Sequence, residues 1–215
     1  MYHKLQYISQ GNTTQEQLSN IRKALDNGCE WIQLRFKNAS TTELFDVAET
    51  AKILCDLFSA YLIINDNVYL AQQLDADGVH LGLNDMKVDE ARLILENTKI
   101  IGGTANTFDD VLQRAIENCD YIGLGPFQFT STKQNLSPIL GLEGYHNIIQ
   151  KMKAKKIKIP IYAIGGIQLE NVESILETGI HGIAVSGLIT QDEKDRKSTR
   201  LNSSHALTSR MPSSA

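Results

Sequence analysis

Cysteine is scarce in this sequence, which contains only Cys29, Cys55 and Cys119 among its 215 residues. An odd, scattered set of this kind excludes a disulfide framework, and its spacing does not match a metal-binding knuckle. We therefore expect buried, reduced thiols of the kind found in cytoplasmic proteins.

Long apolar segments and excess positive charge are also missing. The opening residues MYHKLQYISQ lack the apolar core of a signal peptide, and no stretch is apolar over a membrane-spanning length. The formal net charge of −4 gives the molecule as a whole no attraction to nucleic acid or to an anionic membrane. We expect a cytoplasmic protein that binds neither; the composition leaves its oligomeric state open.

What the sequence does contain is a regular alternation of short strands and helices. Strands are predicted at 4–9, 31–37, 61–66, 76–82, 99–104, 121–125, 160–166 and 182–187. Apolar residues at helical spacing separate them, so that seven helices lie between eight strands. This rhythm indicates an α/β chain folded as a single (β/α)8 TIM barrel, with a doubly wound open sheet as the weaker alternative.

The alternation stops after Ile189, where a barrel would need an eighth helix. Residues 197–215, KSTRLNSSHALTSRMPSSA, are rich in serine, lack acidic residues and show no helical apolar spacing. A disordered native tail is one interpretation. We prefer a foreign translated segment that replaces the true final helix. The expected division is a barrel over 1–190 and an irregular tail over 191–215, with the eighth helix lost or replaced.

The strand WIQLRFK, at 31–37, carries polar groups on one face. Alternation puts Gln33, Arg35 and Lys37 on the face opposite Ile32 and Leu34. A solvent-exposed face would explain this pattern in an isolated strand. Helical patterns on both sides predict a buried parallel strand instead, in which an amide and two cations need an anionic partner. We therefore favour a site for a small anionic ligand.

Two aspartates follow neighbouring strands, where a barrel carries its chemistry. Asp66 ends the third strand and Asp85 lies in the loop after the fourth. Magnesium takes one or two protein carboxylates and completes its shell with water and phosphate, so the pair fits a magnesium ion. Alternatively, both side chains only cap the helices that follow. Beside Arg35 and Lys37, they suggest a clamp for a pyrophosphate.

Other polar groups fall at the remaining strand ends. Thr104 and Asn106 could hydrogen-bond a heterocycle or cap the next helix. The long loop after the sixth strand contains TSTK (130–133), whose hydroxyls and lysine could bind phosphate or carboxylate. Glycines at 165–166 and the segment 185–187 end the last two strands, where barrels often bind phosphate through backbone N–H groups. We expect His80 to be a packed, hydrogen-bonded structural residue rather than a catalytic base.

Taken in order, these motifs resemble the thiamine-phosphate synthase family. The resemblance is carried by QLRFK (33–37), IND (64–66), ADGVHLG (76–82) with Asp85, TSTK (130–133), AIGGI (163–167) and GIAVSG (182–187). It covers residues 5–189. It implies a Mg2+-assisted transferase that joins 4-amino-2-methyl-5-(hydroxymethyl)pyrimidine diphosphate to thiazole phosphate, giving thiamine phosphate and pyrophosphate.

The resemblance also implies roles for individual residues. Asp66 and Asp85 would bind Mg2+, and Arg35, Lys37 and Lys133 would be catalytic. The pyrimidine diphosphate would be held by Gln33, Arg35, Lys37, Asn65, Thr104 and Lys133. The thiazole phosphate would be held by Thr130, Thr132, Gly166, Val185 and Ser186, and Ser131 completes the substrate-binding set.

The chain departs from the family's common pattern at four positions. Leu83 and Asn84 replace a glutamine and an acidic residue, Asn106 replaces a histidine, and Gln10 replaces an aspartate. None is a predicted metal or pyrophosphate ligand. Two other functions are considered: a thiazole tautomerase, which would lack the intact pyrophosphate clamp, and a non-catalytic barrel that binds phosphate ligands.

Overall fold

The computed structural model describes residues 3–129 and 138–190, and its centre is a closed barrel of eight parallel strands. The strands are β1 (Leu5–Ile8), β2 (Trp31–Leu34), β3 (Tyr61–Asn65), β4 (Gly78–Leu81), β5 (Ile100–Ala105), β6 (Tyr121–Leu124), β7 (Ile161–Ile164) and β8 (Gly182–Val185).

Helices follow the strands around the outside of the barrel. They are α1 (Thr14–Asp26), α2 (Thr41–Leu57), α3 (Val68–Gln73), α4 (Val88–Leu95), α5 (Phe108–Ile116), α6 (Gly141–Ala154), α7 (Val172–Glu177) and α8 (Gly187–Thr190). Short 3-10 turns at Glu96–Thr98 and Leu169–Asn171 adjoin α4 and α7.

The first and last strands pair to close the barrel. Strand β1 is hydrogen-bonded to β2, with Tyr7 opposite Ile32, and to β8, with Leu5 opposite Ile183. An open doubly wound sheet would leave those two edges apart. The predicted (β/α)8 barrel is therefore confirmed.

Side chains on alternate faces of the strands form two core layers. An inner cluster fills the barrel and consists of Trp31, Ile63, Tyr121, Tyr162 and Ala184. The larger cluster lies between the strands and the helices. On β2 the alternation follows the sequence: Trp31 points inward, and Ile32 and Leu34 pack outward under the helices. The predicted division into two faces is confirmed for residues 31–34; Arg35 and Lys37 lie beyond the end of the strand.

Polar side chains begin the helices that follow the first, second and fifth strands. The Thr13 hydroxyl accepts from the backbone of α1, and Ser40 and Glu43 form a reciprocal capping box on α2. Thr107 and Asp110 form the corresponding box on α5. These caps satisfy backbone N–H groups that have no partner within the helix.

Several element ends differ from those the sequence predicts. Strand β2 stops at Leu34 because the Arg35 N–H donates to the Ser9 hydroxyl, 2.9 Å away, and not to the strand ladder. Helix α6 begins at Gly141, whereas the apolar spacing in the sequence predicts a helix that begins only at Tyr145. Its first turn contains two glycines and a half-exposed Leu142, which give no apolar periodicity to detect.

An eighth helix does begin, although the sequence pattern predicts none. Gly187, assigned to the last strand from sequence, opens the single described turn of α8. Ile189 is buried in that turn, and Lys23 of α1 donates to the Thr190 carbonyl over 3.3 Å. The tail 191–215 lies outside the described residues. Within the part that is described, no helix is long and apolar enough to span a membrane.

Candidate active site

Arg35 and Lys37 project from the loop directly after β2, at the carboxyl end of the barrel. The backbone of Arg35 is held on both sides, because its N–H donates to Ser9 Oγ (2.9 Å) and its carbonyl accepts from Gln17 Nε2 (3.4 Å). Burial lowers the pKa of the Arg35 guanidinium, and the nearby Asp66 carboxylate acts in the opposite direction. Arg35 is thus a partly desolvated cation on a fixed backbone.

Gln33 and Asn65 provide neutral hydrogen-bonding groups beneath these cations. Gln33 is buried inside the barrel, and its Nε2 donates to Asn65 Oδ1 over 3.3 Å. They lie on neighbouring strands, which brings both predicted pyrimidine ligands to the same part of the rim.

Asp66 and Asp85 lie against one another at the ends of neighbouring strands. Burial and the hydrogen-bonded Asp85 carboxyl raise the pKa of Asp66 to about 6, although Lys37 and Arg35 oppose the shift. The Asp66 backbone has φ 64°, in the left-handed region that a non-glycine residue rarely adopts. Its N–H donates to the His80 carbonyl over 2.9 Å, which anchors the turn to β4.

Neither aspartate caps a helix, so the structure contradicts the alternative considered from sequence. Helix α3 is capped by Asn67, whose side chain accepts from Leu70 N–H. Helix α4 begins at Val88, and its N-cap residue Lys87 makes no side-chain cap. Asp85 Oδ2 instead accepts from Gly82 N–H at 2.6 Å.

The two carboxylates fit a cation that needs few protein ligands. Among residues 3–129 and 138–190 no group of three His, Cys, Asp or Glu side chains could hold a metal ion. Magnesium does not need such a group, because water and substrate phosphate complete its coordination. Burial and the neighbouring Asp85 raise the pKa of Asp66, and a bound cation would stabilise both charged carboxylates, so the pair is a suitable donor set.

Thr104 stands on the inner face of β5 and is hydrogen-bonded to His80. Thr104 Oγ1 lies 3.0 Å from His80 Nε2, and the other ring nitrogen lies 3.0 Å from the Tyr121 hydroxyl. His80 is therefore packed and hydrogen-bonded, as predicted. Asn106 donates its side-chain amide to the Gly125 carbonyl, while Thr107 takes the capping role.

The opposite side of the rim contains the predicted phosphate residues. Gly165 and Gly166 both have positive φ, at 90° and 71°, so a side chain would be strained at either position. The Ser186 hydroxyl donates to Gln10 Oε1 over 3.1 Å. The Val185 side chain is buried in the outer core layer, so Val185 could contact a ligand only through its backbone.

The predicted ligands Thr130, Ser131, Thr132 and Lys133 lie outside the described residues. The chain enters that segment at Phe129, beside the end of β7. A Cβ at Gly166 would lie 2.8 Å from the Phe129 carbonyl oxygen. The described residues thus bring together Arg35, Lys37, Asp66 and Asp85, with Gly166 and Ser186 just after the neighbouring strands β7 and β8.

Comparison with protein families matches residues 5–189 to the family described as thiamine monophosphate synthase. The chain belongs to this family. The thiamine-phosphate synthase of Flavobacterium psychrophilum is 70% identical over 193 residues, covering 90% of this chain and 94% of that protein. The corresponding protein of Flavobacterium johnsoniae is 62% identical, covering 94% and 96% of the two chains.

A solved structure agrees with these relatives. Thiamine phosphate pyrophosphorylase from Pyrococcus furiosus superposes with a TM-score of 0.77 at 34% identity, covering 90% of each chain. The resemblance predicted from the motifs, and the transferase class that it implies, are confirmed.

Several residues have roles in this thiamine monophosphate synthase site that the sequence did not predict, including Gln10, which was noted only as a departure from the family's pattern. Ser9 and Gln17 hold the Arg35 backbone, and Gln10 receives the Ser186 hydroxyl. Arg114, on α5, is buried and donates to the carbonyls of Gly82 and Thr104. The only available signal was position, because Ser9 and Gln10 follow a strand end; Gln17 and Arg114 look like ordinary helix surface.

Proposed function

We propose that this chain synthesises thiamine phosphate, displacing pyrophosphate from the methylene carbon of an aminopyrimidine diphosphate by the ring nitrogen of a thiazole phosphate. The C–O bond to pyrophosphate breaks and a C–N bond to the thiazole forms. The observation that carries the proposal is the contact of the Asp66–Asp85 pair with the cations after β2. Lys37 Nζ lies 3.8 Å from Asp66 Oδ2, and Arg35 acts on the same carboxylate.

Stabilising the departing pyrophosphate is the main task for the protein. An electron-rich aminopyrimidine can carry positive charge at its methylene carbon, so the C–O bond can break before the new bond forms. Arg35 and Lys37, with Lys133 from the long loop, would neutralise charge that grows on the leaving group. Fixed cations in a partly desolvated site do this with little reorganisation.

Asp66 and Asp85 are the residues that would hold Mg2+. When bound there, the ion supplies further positive charge for the pyrophosphate oxygens. In addition, a cation would offset the burial and the like charge of Asp85, which together raise the pKa of Asp66 to about 6. Lys37, with its Nζ 3.8 Å from Asp66 Oδ2, would direct positive charge to the substrate.

The thiazole phosphate would occupy the rim at β7 and β8. Gly166 allows close approach of the backbone, and backbone N–H groups near Ser186 would donate to the phosphate. Binding there holds the thiazole nitrogen close to the methylene carbon. The nitrogen can then capture the carbon before water does, which is an effect of positioning.

No covalent intermediate with the protein is required. The three cysteines are buried, and burial raises the pKa of Cys29 to about 11 and those of Cys55 and Cys119 to about 12. Protonated, buried thiols are poor nucleophiles at neutral pH. A direct displacement of pyrophosphate is the simpler route.

The test is an assay for pyrophosphate release from both substrates, with and without Mg2+. We expect release that needs both substrates and the ion. Asp66→Ala and Lys133→Ala should lower turnover by about 100-fold or more, since each removes charge stabilisation used in the transition state. Near-normal turnover in both purified variants would refute these roles.

Two other outcomes would favour the alternative functions. Ligand binding without pyrophosphate release would favour a binding protein, and thiazole isomerisation alone would favour a tautomerase. A cytoplasmic location stays a prediction.

A further inference from the structure

A polar chain crosses the interior of the barrel and ends at the substrate rim. Gln6 Nε2 donates to the Tyr121 hydroxyl over 3.2 Å, and that hydroxyl lies 3.0 Å from His80 Nδ1. On the other side of the ring, His80 Nε2 lies 3.0 Å from Thr104 Oγ1. Gln6 and His80 are buried, so these bonds lie in a water-poor interior where their geometry is tightly determined.

Two glycines provide the space for this polar chain. His80 is opposite Gly102 on β5, and Gly102 is opposite Tyr121 on β6. A Cβ at Gly102 would overlap the Tyr121 ring, and one at Gly123 would lie 3.2 Å from His80 Cε1. Because Thr104 is two residues beyond Gly102 on the same face, the His80 ring reaches it diagonally, one layer nearer the rim.

These bonds are compatible with one consistent direction for each proton. Gln6 donates to the Tyr121 oxygen, so the phenol proton is available for His80 Nδ1. With Nδ1 as an acceptor, the neutral imidazole carries its proton on Nε2 and donates to Thr104 Oγ1. In this arrangement the Thr104 hydroxyl can donate its own proton to a group other than His80.

We propose that His80 is a positioning residue, which, through Thr104, orients a hydroxyl donor toward an acceptor atom of the aminopyrimidine diphosphate. The inference rests on the proposed function, in which Thr104 contacts that substrate. His80 does not touch the reacting atoms. Its role is to hold Thr104 as a donor, so that the pyrimidine binds in one orientation above Gln33 and Asn65.

The test is a double-mutant cycle with Thr104→Val, which keeps the shape of the side chain but removes the hydroxyl. In the full-length chain, His80→Leu should raise KM for the pyrimidine diphosphate about tenfold, the effect of one lost hydrogen bond in a closed site. KM for the thiazole phosphate should change by less than about twofold, since its phosphate contacts are elsewhere. In the Thr104→Val background, His80→Leu should add less than about twofold.

Three further variants separate positioning from packing. His80→Gln, whose amide can donate near the Nε2 position, should restore KM to within about threefold of the parent. Tyr121→Phe should raise the same KM, with the His80 ring still present. The matched control is Tyr162→Phe, which removes a phenol from the same aromatic cluster but one that donates to the His3 carbonyl. It should leave both KM values unchanged.

The outcomes distinguish the inference from the proposed function. If the parent chain releases no pyrophosphate from the two substrates, the proposed function fails. If the parent is active but the His80 and Thr104 effects multiply, or Tyr162→Phe shifts the pyrimidine KM as much as Tyr121→Phe does, positioning by His80 is overturned. Equal increases in both KM values would overturn it as well.

Discussion

The Arg114 guanidinium donates to the Gly82 carbonyl over 2.8 Å, joining a helix on the outside of the barrel to the loop that positions Asp85. The same guanidinium donates to the Thr104 carbonyl over 3.2 Å. Gly82 in turn donates its N–H to Asp85 Oδ2. One buried side chain therefore connects the proposed metal loop to the strand that carries Thr104.

Arg114→Ala should destabilise the chain strongly. The change leaves two carbonyls and the Glu117 carboxylate, 2.8 Å from the guanidinium, without their buried partner. We expect a loss of about 3 kcal/mol in the free energy of unfolding, typical of breaking a buried ion pair. Denaturant unfolding measures it. Arg22→Ala breaks an exposed pair with Asp26 and should cost less than about 1 kcal/mol; equal losses would contradict the expectation.

Asp66→Asn and Asp85→Asn should each abolish stabilisation by Mg2+. In the parent chain, millimolar Mg2+ should raise the melting temperature, because a ligand that binds only the folded state stabilises it. Removing one carboxylate from a pair leaves too little charge for that binding. Thermal melts with and without the ion provide the measurement. Asp46→Asn, at an exposed position of α2, is the control and should retain the shift; a full shift in both site variants would rule the pair out as ligands.

Substitutions at Ser186 should distinguish the contribution of its hydroxyl to thiazole phosphate binding from that of its backbone. The hydroxyl is already donated to Gln10, so Ser186→Ala should raise KM for thiazole phosphate by only about threefold. Ser186→Asp places negative charge beside the bound phosphate and should raise that KM by about 30-fold or more. Steady-state kinetics distinguish the two. Ser19→Asp, exposed on α1, adds the same charge elsewhere; a similar increase there would attribute the effect to net charge.

The buried thiols should make folding less favourable at high pH. The pKa of Cys55 is about 12 in the folded chain, well above the value of about 8.5 for a free thiol. The folded state therefore holds a proton that the unfolded state loses. The resulting contribution of Cys55 to the free energy of unfolding is fully present below about pH 8.5. It declines by up to about 1.4 kcal/mol per pH unit as the pH rises toward 12.

Denaturant unfolding at pH 8 and pH 10 gives this slope. Tyrosines and the other cysteines titrate in the same range, so the informative quantity is the difference between the parent and Cys55→Ala. The variant should have the smaller slope. Identical slopes would mean that Cys55 is not held protonated by the fold.

The fold was largely predictable because local patterns determine it. Alternation along β2 follows from the pleat of a strand, which is why Gln33 was correctly placed on the buried face opposite Ile32 and Leu34. The caps at Thr13 and Ser40 depend on neighbours three residues away. Barrel closure followed from the regular count of strands and helices. Each of these features can be predicted without knowledge of distant contacts.

Features that depend on distant partners were not predictable. Strand β2 ends early because Arg35 meets Ser9, 26 positions away in sequence. Arg114 has the spacing of an exposed helix charge beside Glu117, and only the fold brings it to Gly82. In the site, the strand-end motifs identified which residues meet. They could not indicate that Asp66 has a left-handed backbone or that burial changes its proton affinity.

Closure of the sheet also affects how the protein unfolds and aggregates. Within the described residues each strand is hydrogen-bonded on both sides, so no strand offers a free border to another chain. Detaching any one strand would create two such borders at once and expose the aromatic interior between them. Partial opening is therefore doubly costly, and we expect the barrel to come apart in a single concerted transition and to aggregate chiefly from its fully opened form.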